Sequence, residues 1–297
     1  MACLAIVVIT GLGAGDLGYG GLSPILVWIG FWLAVPFVSV VVGDIWTPMN
    51  PWRRIGERVG LGETERPELL ERWGVYPAAA LFGAFAWFEI VYPESATGRS
   101  LGIAALVYTA AMAGVMVVAG RETGLQMAEA FTTYNRVISS ISPRGRSASG
   151  RVVRRGWLRA LPVLPRWRGL SLFVVMMIAT VSFDSLESAL WFRDRLAEMG
   201  INSSEVWVGT VGLITLTALI GSGYWIACSL AAVVTGSDRH TAGSVASSFA
   251  HTLSPIAVAY AVAHYFTLVL FEGQLLFIAA STHSGWGGTC SVPLRGV

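Results

Sequence analysis

Residues 22–43 read LSPILVWIGFWLAVPFVSVVVG, a run with no charged side chain. A membrane helix needs about 20 mostly apolar residues to cross the hydrocarbon, so this run is a complete span. Pro36 is a kink of the kind such helices tolerate. Upstream, residues 1–13 are apolar but too short, a partial span. No basic n-region precedes Leu4 to Ile9, so a secretory signal peptide is not expected. Downstream, further spans fall at 76–92, 100–119, 169–192, 206–234 and 244–280. The last is long enough to be tilted or to break near Pro255. The expected fold class is all-α, a multi-pass transmembrane helical bundle of about six or seven spans. Residues 1–287 form its single membrane domain, with six spans complete.

Composition agrees with the spans. Of the 297 residues 54% are hydrophobic and 13% charged, against about 25% charged in a soluble domain. That leaves too little polar surface for a globule in water. Twelve tryptophans suit a protein with two membrane interfaces. Cys3, Cys228 and Cys290 are odd in number and have no CxxC spacing, which argues against a disulfide framework, a zinc ribbon or haem attachment.

Every basic residue is arginine, and the arginines fix the expected orientation. Sixteen lie in the loops 44–75, 120–168 and 235–243, against Arg99, Arg193 and Arg195 in the alternate loops. The positive-inside rule makes the first set cytoplasmic. The protein is therefore expected in the cytoplasmic membrane, and its last span is expected to finish outside. In the first of these loops Trp46 and Trp52 alternate with Pro48, Pro51, Arg53 and Arg54, a composition suited to anchoring in the headgroup layer. The second, 120–168, reads as a basic cytoplasmic loop. Its Arg144–Arg168 stretch fits anionic lipid, at about 1 kcal/mol per basic residue near the surface. Nucleic acid is an unsuitable partner for an arginine run flanked by spans. No phosphate-cradling glycine pattern and no inverted repeat is present.

A charge within the bilayer is costly unless paired or wet, so each ionisable residue inside a span is a functional candidate. These are Glu89, Asp184, Glu187, His251, His264 and Glu272. At 1.5 Å per residue, Glu89, Asp184, Glu187, His264 and Glu272 fall in the outer half, while His251 falls near the inner face as a packing histidine. Glu89, Asp184, His264 and Glu272 are expected to share one polar site, with His264, Glu272 and Asp184 as candidate ligands of a divalent metal such as Zn²⁺ or Mn²⁺. No HExxH-like spacing supports the metal. Interfacial solvation, pairing with Arg193 and Arg195, and a transport pathway are the competing readings. Ser244, Ser247 and Ser248 form no nucleophile elbow.

The runs LVWIGFWLAVPFVSVVVGDIWTPMNPWR (26–53), WGVYPAAALFGAFAWFEIVYP (73–93), SFDS (182–185), FAHTLSPIAVAYAVAHYF (249–266) and FEGQ (271–274) resemble an actinobacterial family of polytopic membrane proteins. Its members are often labelled fenitrothion hydrolase-like. The resemblance extends to about Gly287 and implies hydrolysis of an organophosphorus triester at a membrane-embedded site. It transfers no catalytic assignment. Family members have a longer N-terminus and continue past Gly285-Trp286-Gly287 as Trp-Asp-Leu-Phe-Gly-Thr. Deleting one base from codons for that continuation yields Gly-Thr-Cys-Ser-Val-Pro-Leu, which is Gly288 to Leu294 here. Residues 288–297 are thus expected to be an out-of-frame tail of a truncated member. A non-enzymatic transporter or lipid-interacting protein is the alternative to the hydrolase.

Overall fold

The computed structural model describes residues 1–13, 21–146, 152–154, 156, 167–235 and 241–283, with side chains of the last helix as far as Gln274. The tail 288–297 and most of Arg144–Arg168 lie outside the described residues. The chain forms the all-α multi-pass bundle that its hydropathy implies. In order the helices are α1 (Ala2–Gly13), α2 (Leu22–Val42), α3 (Trp46–Met49), α4 (Pro51–Val59), α5 (Pro67–Trp73), α6 (Tyr76–Ile90) and α7 (Gly98–Ala119). There follow α8 (Arg121–Ala128), α9 (Ala130–Ser139), α10 (Leu170–Ser188), α11 (Leu190–Glu198), α12 (Val206–Thr235) and α13 (Ala242–His283). A two-stranded antiparallel pair, Arg144–Arg146 with Val152–Arg154, is the only sheet among the described residues.

Five helices are long and apolar enough to cross a bilayer: α2, α7, α10, α12 and α13. Their outward faces carry Ile103, Leu106 and Val107 on α7 and Val211, Ile214, Leu219 and Leu230 on α12, all exposed. Apolar faces of this extent require lipid around them. The span expected over 76–92 corresponds to α6, a shorter apolar helix. It has fifteen residues, about 22 Å of helix, and its Ala78, Ala79, Phe82 and Ala86 are buried inside the bundle. Two boundaries also differ. Ala189 turns extended, with ψ 125°, so α10 stops at Ser188 and the residues beyond start α11. The last helix runs unbroken through Pro255.

Trp32, in the π-wound stretch Ile25–Ala34 of α2, is the aromatic hub of the core. Its ring centroid lies 4.7 Å from Phe85, 5.0 Å from Tyr134 and 6.3 Å from both Phe82 and Tyr265. Rings at such separations add about 0.5–1.5 kcal/mol per pair beyond burial. They tie α2 to α6, α9 and α13.

The largest departure from the sequence reading is the segment 120–142. Instead of opening a solvated loop it folds back into the bundle. Ala128, Glu129, Ala130, Phe131, Tyr134, Asn135, Val137 and Ile138 are each 4% exposed or less. Gly120, with φ +92°, makes the turn from α7 into α8, and a Cβ there would meet Glu65 Cα at 2.6 Å. Only glycine fits both the angle and the gap. Trp46 and Trp52 correct the headgroup expectation in the same way. Each is 5% exposed, packed on Phe31 and Phe131 and on Tyr108 respectively.

Candidate functional site

Among the described residues, two polar centres stand out. One contains Asp184, His264 and Glu89, three of the ionisable residues singled out in the sequence, and the other contains none of those.

The first joins α10 to α13. His264 Nε2 is 2.8 Å from Asp184 Oδ2, and His264 Nδ1 is 3.0 Å from Ser185 Oγ. Asp184 and Ser185 are neighbours on one helix and meet the two nitrogens of one ring on the facing helix. The side chains of His264 and Asp184 are 22% and 34% exposed. Ser185 Oγ also lies 2.9 Å from the Val181 carbonyl, the ordinary back-bond of a helical serine.

These three distances accommodate two protonation states of His264. In the neutral ring, Nε2–H donates to Asp184 and bare Nδ1 accepts the Ser185 hydroxyl hydrogen. In the imidazolium, both nitrogens donate, and the Ser185 hydroxyl turns its hydrogen to the Val181 carbonyl. Neither state strands a donor, so a proton can be gained or lost without breaking the array.

Glu89 belongs to the same region. It lies within electrostatic reach of Asp184 and faces the indole of Trp32. Its Oε2 is buried and has no hydrogen-bond partner, as are Trp32 Nε1 and Tyr265 OH. Glu272 is eight residues beyond His264, about 12 Å along the helix, and none of the side-chain hydrogen bonds described reaches it. Among the described residues, no three His, Cys, Asp or Glu side chains come together in a group that could hold a metal ion. Asp184 and His264 supply two such groups. Arginine pairing with this cluster is not found there either: Arg193 donates to the backbone carbonyl of Glu187, and Arg195 pairs with Glu198.

The second centre is Glu129, at the break between α8 and α9. Its side chain is fully buried. Oε2 accepts from Trp46 Nε1 at 2.9 Å, Asn50 Nδ2 at 3.0 Å, the Thr132 amide at 2.7 Å and the Thr132 hydroxyl. Oε1 accepts from Tyr108 OH at 3.0 Å and the Phe131 amide at 3.1 Å. Two of these donors are the free amides at the start of α9, so Glu129 caps that helix. Tyr108 is ten residues from one end of α7 and eleven from the other, which puts the carboxylate about 15 Å in from either end.

Residue-type reasoning passed over Glu129 because it lay outside every apolar window. The signal that marks it is local. The run LQMAEAFTTYN (125–135) has one charge, while the arginines begin in force only at Arg144. A single carboxylate in an otherwise uncharged stretch of small and aromatic residues fits a buried cap better than a solvated loop.

The chain matches no family model, no curated protein and no solved structure.

Proposed function

We propose that this multi-pass membrane protein moves protons, alone or coupled to a solute, through a site built on Asp184, His264 and Glu89. Its arginine-rich face is cytoplasmic, and it resides in the cytoplasmic membrane with anionic lipid at Arg144–Arg168. The reading rests on one observation above all, that Asp184 and Ser185, neighbours on one helix, meet the two ring nitrogens of His264 on the facing helix. A chain of Asp, Glu and His between spans is the usual composition of a membrane proton relay.

A specific observation favours a second reading. Ser185, His264 and Asp184 stand in the order nucleophile, base and orienting carboxylate. That order would serve ester hydrolysis, the activity implied by the resemblance to fenitrothion hydrolase-like proteins. Proton flux into sealed proteoliposomes, read with an entrapped pH dye under an imposed gradient, separates the two readings. Wild-type flux should exceed that of protein-free vesicles and fall to their level in His264→Asn and Asp184→Asn, while Ser185→Ala keeps most of it. Flux unchanged in His264→Asn would refute the relay. Cleavage of an organophosphorus triester that is lost only with Ser185 would establish the hydrolase instead.

A further inference from the structure

We propose that Glu187 is the proton-collecting carboxylate of the relay, taking protons at the turn between α10 and α11 and handing them to Asp184. The inference rests on the relay reading above and adds the port by which that relay meets the aqueous phase. Glu187 follows Asp184 by three residues on α10, which ends at Ser188. Residues three apart on a helix are surface neighbours, with Cβ atoms about 5–6 Å from each other, so the two carboxylates share one face. Asp184 in turn lies 2.8 Å from His264 Nε2. Glu187 is thus one turn nearer the end of the span than the pair it would serve. Accessibility rises over the same turn: Phe183 is buried, Asp184, Ser185 and Glu187 are half-buried, and Ser188 is exposed.

The neighbours of Glu187 fit a collecting role. Two arginines follow on α11, and neither holds its carboxylate. Arg193 Nε donates to the Glu187 backbone carbonyl at 2.8 Å, and Arg195 pairs with Glu198. The Arg193 guanidinium and the Asp184 carboxylate are both within electrostatic reach of Glu187. The side chain therefore stands between a cation on α11 and the carboxylate of the pair on its own helix. Among the described residues, no ion-pair contact locks its charge. The other carboxylates of this end belong to α11, where Asp194 is exposed and Glu198 is taken by Arg195. In each cycle a proton adds to the Glu187 carboxylate and then passes to the Asp184 carboxylate, which returns Glu187 to its ionised form. Such a group works by gaining and losing a proton readily, which a locked ion pair would prevent.

Proton flux in sealed proteoliposomes whose α10–α11 turn faces out, read with the entrapped pH dye in dilute buffer, tests the port. Glu187→Gln keeps the size of the side chain and removes its ability to carry a proton, so its flux should be several-fold below wild type. The membrane-impermeant buffer MES, added outside, should restore that flux towards wild type, because a diffusing acid can protonate Asp184 directly once the collector is lost. Asp184 has the access this needs, with 34% of its side chain exposed. Glu187→Asp should retain most of the flux and Asp194→Asn all of it, while MES should not rescue His264→Asn. Glu187→Gln flux equal to wild type in dilute buffer, or a loss that MES leaves in place, would overturn the port. Where wild-type flux is present and His264→Asn abolishes it, such a result strikes the port alone. Wild-type flux no higher than that of protein-free vesicles strikes the relay and the port together.

Discussion

Truncating Glu129 to alanine would strand Trp46 Nε1, Asn50 Nδ2, Tyr108 OH and the Phe131 and Thr132 amides in a closed interior. Each abandoned buried donor costs about 1–3 kcal/mol, although neighbours relax and the terms do not add. Glu129→Ala should therefore destabilise the protein by more than about 3 kcal/mol, read as a large loss of melting temperature in detergent. A change within about 0.5 kcal/mol, as at an ordinary surface site, would show that the carboxylate is not the pin described. The four residues nominated from sequence fared unevenly for a physical reason. Hydropathy gives depth along a helix axis, so Asp184 and His264 could be placed at similar heights. Glu272, eight residues and about 12 Å further along the same axis, lies beyond that height. Ser185 was overlooked because a helical serine ordinarily satisfies itself on its own backbone.

Among the elements, α8 owes its position to a carboxylate from another segment. Glu65 accepts from the Glu122 and Thr123 amides, both at 2.9 Å. Partial burial pulls its pKa upward, but those amides, the Thr123 hydroxyl and nearby Arg121 outweigh it, so the net pKa is lowered. The sign follows from linkage. A carboxylate whose folded pKa is depressed stabilises above its unfolded value, and that stabilisation is lost as pH falls through the folded pKa. The melting-temperature gap between wild type and Glu65→Gln should be present at neutral pH and close as the solution is acidified below the ordinary carboxylate range. A gap independent of pH would contradict the capping role. The pair α8 and α9 was also the element least legible in the sequence. Spans such as 206–234 were readable because lipid demands an unbroken apolar run. A segment buried in protein faces no such demand and can keep Thr, Asn, Glu and Arg where partners exist. Cysteine labelling checks its burial. In a background free of native cysteines, Ala130→Cys should resist a water-soluble maleimide applied to either side, while Glu63→Cys, on an exposed loop, reacts. Equal labelling of both would restore the solvated loop.

At the scale of the whole molecule, the short helix α6 and the folded-back pair α8 and α9 share one core with long apolar helices, α6 through Phe82 and the pair through Phe131 and Tyr134. The arrangement keeps the hydrogen-bonding backbone of the short segments away from lipid. It also builds two polar centres, the fully bonded Glu129 carboxylate and the Asp184–His264 pair beside unpaired groups. The first has every donor matched and no room to change. The second has hydrogen-bond capacity to spare, which is why protonation chemistry is assigned to it. Nitrogen-15 NMR of histidine-labelled protein in bilayers tests that assignment most directly, with His264 identified by its loss in His264→Gln. The account predicts that both ring nitrogens are hydrogen-bonded, Nε2 to the Asp184 carboxylate and Nδ1 to the Ser185 hydroxyl, so that Asp184→Asn shifts the Nε2 signal and Ser185→Ala the Nδ1 signal. Nitrogen signals that neither substitution moves would contradict it.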